Sequence, residues 1–413
     1  MYKALQLFVC LLVASAGMLA LAAPPLSLHA AIDTARANHP ALQAAHADVT
    51  AASANLRGAR TLRNPEILVT PGVLGPAGSD EFLSIAQPLE INGAKRARTN
   101  IATGQLEATQ AERRVTEQAV IFTVKTAYWN LAQAQALTAF DAENVTYAET
   151  LVAAAKKQVE LGNEPTSHVT KADVELARAR QQLARSQAAI GQAQTALNAA
   201  MGRNPNTPIT LADTLAYSPM TLDDDTLIQQ GIANRPELLR DQALVAAASG
   251  EVDAARAARR PDVAVQVRRE SWHGDGGVGL GISLPLIDWG AARAERDRAR
   301  ASVTAQQRRV EATRLAVRQE ISAAVIAARS AEAQIITLRD QVLKPAETLA
   351  QMASTGYQEG AMTYLEVLEA RRTLRAVNVE YLSALGEYRT ALAQVEWATG
   401  TTLRPAPPKE VQP

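Results

Sequence analysis

From Ala94 to Leu161 apolar residues recur at helical spacing: Ile101, Leu106, Val115, Phe122, Val124, Tyr128, Leu131 and Leu137. The stretch holds no proline and one glycine, Gly104. As a single helix its 68 residues would span roughly 100 Å at ~1.5 Å per residue. Charges interrupt it every few residues, from Lys95 through Arg113 and Glu143 to Lys157, which excludes a membrane span. A periodic run of this length predicts an elongated packed helical array.

The pattern changes to period two elsewhere. Val263, Val265 and Val267 alternate with Ala264, Gln266 and Arg268; Val278, Leu280, Ile282 and Leu284 alternate with Gly279, Gly281 and Ser283. Such alternation predicts strands with one apolar and one small or polar face. Earlier in the chain it predicts strands over 66–70 and 81–87, with Ile67, Val69, Leu83 and Ile85 on the apolar face. The later pair covers 262–269 and 278–284. Two readings fit: a soluble hairpin packed on a core, or tilted strands crossing a membrane.

The chain copies itself. Asn38-His39-Pro40-Ala41-Leu42 matches Asn234-Arg235-Pro236-Glu237-Leu238, and Arg63-Asn64-Pro65 matches Arg259-Arg260-Pro261. Pro88-Leu89 matches Pro285-Leu286 after one inserted residue. Gly93 and Arg96 match Gly290 and Arg293; one more residue later, Gly162 matches Gly360 and Gly202 matches Gly400. So long a period marks a duplicated domain rather than a solenoid. Each copy reads helix, two strands, long helix, glycine turn, return helix. The second long helix starts near Ala291, with a kink expected at Pro345; the return helices cover 166–200 and 362–398.

The expected organisation is a signal peptide over 1–22, a first repeat over 23–203 and a linker over 204–226. A second repeat follows over 227–401, then a proline-rich tail over 402–413. Lys3, the apolar run Leu5 to Leu21 and Ala20-Leu21-Ala22 carry the secretory reading; a retained anchor is the alternative. Cys10, the only cysteine, lies inside that run, so the mature chain is expected to form no disulfide and no thiolate site. Lysine and arginine together number 42, as do aspartate and glutamate, and this balance gives no field for nucleic acid.

Four strands cannot close a barrel, and an open edge is not tolerated in lipid. Membrane-spanning strands in this chain would therefore have to be shared among several copies, above a helical tunnel. The duplicated plan, Gln87-Pro88-Leu89-Glu90-Ile91-Asn92-Gly93 followed by Lys95-Arg96, Tyr357 and Gly360 at the second turn, and Val367-Leu368 with Ala370 after it resemble the TolC-like outer-membrane efflux family. The first of these motifs is most similar to the heavy-metal cation branch. The resemblance implies a mainly α fold with a short-stranded β part: a homotrimer with a 12-helix periplasmic tunnel under a shared 12-stranded outer-membrane barrel. It implies a periplasmic adaptor and an inner-membrane pump as partners, and metal-cation export as the function. Drug efflux or type I protein secretion are rival cargoes, and a soluble periplasmic coiled-coil scaffold is the rival class.

On this reading Val263, Val265, Val267, Val278, Leu280 and Ile282 face lipid. Gly162, Asn163, Gly356 and Gly360 form an adaptor-docking tip. Glu366 and Glu369, at i and i+3 on one helix face, are either a solvated face or the lining of the tunnel mouth. The family resemblance favours the mouth. It also places Tyr357 among the links that hold the mouth shut, with His168 and Met362 standing where the acidic and basic partners would be.

No cofactor and no catalytic residue is expected. The five histidines, His29, His39, His46, His168 and His273, include no pair at i, i+3 or i, i+4, so a high-affinity metal site is not expected. Asp223-Asp224-Asp225 reads as a solvated linker and helix start, and no nucleophile motif is present.

Overall fold

The computed structural model describes residues 25–70, 82–162, 164–270, 276–283 and 289–403. The signal segment, both inter-strand loops, Asn163, Leu284 and the tail beyond 403 lie outside these residues.

The first repeat opens with α1 (Leu28–Asn38) and α2 (Pro40–Arg60), then β1 (Glu66–Thr70) and β2 (Phe82–Pro88). The long helix α3 (Ala94–Glu160) and the return helix α4 (Ser167–Ala200) complete it. The second repeat has α5 (Asp224–Asn234), α6 (Pro236–Ala257), β3 (Asp262–Glu270) and β4 (Gly276–Ser283). It continues through α7 (Ala291–Thr337), a π-helical turn (Leu338–Leu343), α8 (Lys344–Gln358) and α9 (Tyr364–Thr399).

The two copies share their joints in detail. His39 and Arg235 each precede a proline that opens a helix, and their backbones coincide at φ −68, ψ 123 and φ −63, ψ 119. Proline excludes the helical region for the residue before it, so a short and a longer helix meet at a fixed bend. Both return helices end on a left-handed glycine, Gly202 at φ +69 and Gly400 at φ +67. Gly202 packs so closely over the first bend that a Cβ would lie 2.9 Å from the Asn38 carbonyl oxygen.

The continuous 67-residue α3 is the helix that the apolar period predicts. The second long helix is not one regular α-helix: the π turn Leu338–Leu343 interrupts it just before Pro345, which stands in the first turn of α8. The repeat arithmetic gives the reason. Gly290 follows Gly93 by 197 residues, whereas Gly360 follows Gly162 by 198, so the second copy carries one extra residue between them. A π turn absorbs a single insertion and widens the helix where the proline ring would meet the carbonyl one turn earlier.

The four strands form one antiparallel sheet in the order β1-β2-β3-β4, so the join between repeats is the β2–β3 ladder. Opposite partners include Ile67 with Ile85, Val69 with Leu83, Val263 with Ile282, Val265 with Leu280 and Val267 with Val278. These residues share one face, and it is open: Val278 is 77% and Leu280 73% exposed. The other face carries Ser84, Ala86, Gln266, Gly279 and Gly281, with Leu68 as its apolar exception.

Below the sheet, α3 lies between α2 and α4 on one side and α6 and α9 on the other, and α7 packs on α6 and α9. Val124, Tyr128, Leu131, Leu197 and Met201 form the first repeat's core. Val317, Ile321, Val325, Ile335, Leu385 and Tyr388 form the second's, closed by Leu227 and Leu238. The linker ties the two: the Tyr128 hydroxyl donates to Asp213 at 2.7 Å, and the Tyr388 hydroxyl donates to the Ser218 carbonyl at 3.1 Å.

Candidate functional site: strand-to-helix elbow and hairpin tips

The stretch Gln87 to Gly93 turns the chain from sheet to tunnel. The Gln87 amide donates to the Arg63 carbonyl at 2.9 Å, and the Ile91 N–H to Asp262 at 3.1 Å. Glu90, at φ +51, buries its carboxylate, which receives two Arg98 hydrogen bonds of 2.5 and 3.0 Å; Arg63 lies 3.3 Å away. Those Arg98 hydrogen bonds hold the Glu90 carboxyl below the usual carboxylate range. Arg98 also donates to the carbonyls of Ala59 and Thr61, locking the end of α2 to the elbow. Gly93 completes the turn at φ +93.

At the opposite end the two hairpins meet. Leu151, Val152 and Ala155 of α3, Ala172 of α4, Ala353 and Tyr357 of α8, and Tyr364, Val367 and Ala370 of α9 form one cluster. Gly162 at φ +75 and Gly360 at φ +77 reverse the chain, with no atom near enough to meet an added Cβ; their role is conformational. Gly356 is there for space. Met362 folds over it, and a Cβ would lie 2.9 Å from the Met362 Cγ.

The five residues assigned to the tunnel mouth separate into two sets. Tyr357, His168 and Met362 turn into the tip cluster: Tyr357 is 3% exposed, and the His168 ring stacks on Tyr364 with centroids 5.5 Å apart. Burial first, then Glu164, raises the Tyr357 pKa. Burial pushes Tyr364 up to about 12. Glu366 and Glu369 instead point outward and are exposed.

Glu366 has a structural task that sequence reasoning missed. Its carboxylate accepts from the Thr363 N–H at 2.7 Å and the Thr363 hydroxyl at 2.9 Å, closing a capping box on α9. The Thr363 backbone bond, then the hydroxyl, hold its carboxyl below the ordinary range. The charge-assisted strength of the cap is therefore fully present at neutral pH and is lost as acid takes the pH down through that lowered value. The signal was present as Thr363-Tyr364-Leu365-Glu366, a threonine three residues before a glutamate. Among the described residues no group of three or more histidine, cysteine, aspartate or glutamate side chains could hold a metal ion.

The profile of the outer membrane efflux protein family matches residues 31–203 and 227–401. The chain belongs to that family. It is an outer-membrane efflux channel with a TolC-like fold, its helices standing in the periplasm. Over 381 residues it is 25% identical to the cobalt-zinc-cadmium resistance protein CzcC of Cupriavidus metallidurans, covering 92% of this chain and 91% of that one. It is 27% identical to the nickel-cobalt-cadmium resistance protein NccC of Alcaligenes xylosoxydans xylosoxydans over 321 residues, 74% of this chain and 70% of that one. Among solved structures, CusC superposes with a TM-score of 0.74 at 21% identity, covering 91% of this chain and 92% of that one. VceC of Vibrio cholerae superposes with the same TM-score at 21% identity, covering 91% and 96%.

Proposed function

We propose that this efflux channel is the exit duct of a tripartite exporter for divalent heavy-metal cations. It works as a homotrimer with a periplasmic adaptor at its hairpin tips and an inner-membrane pump beyond, and has no catalytic step of its own. The cargo follows from the two metal-resistance relatives, which match along most of their length.

The observation that carries the assembly is an unfinished interface at each edge of the chain. Within the chain, α3 meets α6 where Gly104 approaches Ala243 and Ala247. One repeat along, the matching positions are Ala301 on α7 and Ala47 and Ala51 on α2, all three exposed. The α7 of one copy fits the α2 of the next as α3 fits α6, and β4 continues onto the next copy's β1. A head-to-tail contact of this kind closes into a ring of three where each copy is turned by a third of a revolution from the last. Three copies give twelve strands and six long-helix hairpins.

The apolar character of α7 supports the same seam. Val317, Ile321, Val325 and Ile335 are buried within the chain, while Leu315 and Ile326 on the same helix are 66% and 67% exposed. A helix with apolar residues on two sides is packed on two sides. The sheet face of Val263, Val265, Val267, Val278, Leu280 and Ile282 meets lipid, and Gly162, Asn163, Gly356 and Gly360 meet the adaptor.

Deletion of the gene in its host is expected to lower tolerance to zinc, cobalt, nickel or cadmium and leave tolerance to uncharged drugs unchanged. Growth-inhibition series measure this, and a loss confined to drugs would overturn the cargo. In the trimer, Glu366 and Glu369 bring six carboxylates round the threefold axis at the mouth, where focused charge concentrates cations. Glutamine at residue 366 preserves the capping box while removing charge. Planar-bilayer recordings of Glu366→Gln with Glu369→Gln are expected to show weakened cation selectivity at normal trimer yield. Unchanged selectivity would mean that the two glutamates are merely solvated.

A further inference from the structure

The tip cluster holds a carboxylate that, among the described residues, makes no ion pair with a lysine or arginine. The Glu164 side chain is only 17% exposed, and its one ion-pair contact among the described residues is the His168 Nδ1. A sheltered carboxylate is costly unless a cation or hydrogen bonds compensate it. The imidazole opposite it is 24% exposed and held in plane by the Tyr364 ring, 5.5 Å away at 28°. Tyr364 is 2% exposed, so this support is rigid.

A third oxygen stands in the same cluster. Tyr357 is 3% exposed, and its hydroxyl has no hydrogen-bond partner among the described residues. A buried hydroxyl without a partner is uncommon and calls for an explanation. Glu164 is close enough to raise the tyrosine's pKa. The ring–ring contact of Tyr357 with Tyr364, 6.2 Å between centroids, joins it to the stacked histidine.

We infer that Glu164 and His168, backed by the Tyr357 hydroxyl, form a transit site for a divalent cation at the periplasmic tip of each chain. The donor set is one imidazole nitrogen and hard oxygens. That combination suits zinc, cobalt or nickel; calcium and magnesium call for oxygen ligands throughout, and monovalent copper for thiolates or thioethers. Glu164 stands just ahead of α4 and His168 in its first turn, and the two side chains already touch, so one ion can reach both. Few protein ligands leave coordination positions to water. The ion is then held weakly and exchanges, as a conducting path requires. The site lies where both hairpin tips meet, the end of the tunnel away from the sheet. The inference rests on the proposed metal cargo and supplies the residues that first hold it.

The surface pair His29–Asp33 provides an internal control. It has the same i, i+4 spacing and a 2.8 Å contact, but its side chains are 87% and 52% exposed, without the tyrosines. The experiment titrates the detergent-purified full-length channel with zinc by calorimetry and with cobalt by visible absorption. One saturable site per chain is expected. His168→Ala and Glu164→Gln should each remove it, Tyr357→Phe should weaken it by about tenfold, and His29→Ala should leave it intact. Heat-modifiable trimer on gels shows that each variant is assembled. Wild-type binding by assembled His168→Ala, loss of binding in His29→Ala, or equally tight binding of magnesium would overturn the inference. These readouts are independent of export. A deletion strain that keeps full metal tolerance defeats the export reading alone, whereas metal-sensitive deletion with unaltered His168→Ala binding defeats only the transit site.

Discussion

Gly104→Leu is expected to abolish the assembled channel. Gly104 is the one glycine in a 67-residue helix, and it lies buried against the second repeat. A Cβ there would sit 2.6 Å from the Ala247 amide nitrogen and 2.9 Å from the Ala243 carbonyl oxygen. Both atoms are backbone, so no side chain can swing aside; α3 and α6 must part. Overpacking typically costs about 1–3 kcal/mol where neighbours can adjust, and here the neighbours are two helices that hold the repeats together. Even Gly104→Ala should destabilise, against the helix preference for alanine of roughly 0.5–1 kcal/mol. Gly191→Ala, in the open helix α4 with nothing within 4 Å in the chain, should follow that preference. Quantifying heat-modifiable trimer in the outer membrane separates the three. Normal trimer from Gly104→Leu would show that the repeats do not meet there.

The second large effect belongs to the sheet. Val265→Arg places a charge on the exposed apolar face, opposite Leu280. At a lipid-facing position near the middle of a barrel this costs roughly 2–4 kcal/mol. Gln266→Arg puts the same side chain on the other face, beside Gly281, where Gln266 already lies. Trimer should fall sharply in the first variant and little in the second. Similar losses in both would mean that the face carrying Val265 is not in lipid.

Both predictions reach back to features visible in the sequence, yet the sequence yielded them unequally. The long helix was legible because its period, its lack of proline and its alanine content all agree with one local geometry. The apolar strand face was legible for the same reason: alternation allows one choice of face, and the ladder pairs Val265 with Leu280 and Ile67 with Ile85. The glycine turns at Gly162 and Gly360 are legible from spacing alone, since a left-handed residue at a helix end is a local requirement.

What eluded the sequence was every property that depends on a residue far along the chain. Within its own helix Gly104 is a lone exception to an alanine-rich run, and only the backbone of α6 beside it gives the reason. Glu90 read as one letter of a motif; Arg63 and Arg98 closing on its buried carboxylate are a tertiary fact. The mouth residues were grouped by likeness, but packing turned Tyr357, His168 and Met362 inward and left Glu366 and Glu369 outside. Pro345 marks a disturbance whose form, the π turn Leu338–Leu343 just ahead of it, depends on keeping an inserted residue in register with the facing helices. Local sequence thus determined the elements, their turns and their duplication, because backbone sterics and hydrophobic period act within a few residues. The tertiary structure decided which side chains are buried, paired or left without a partner, because desolvation and close approach are set by neighbours that the local sequence does not contain.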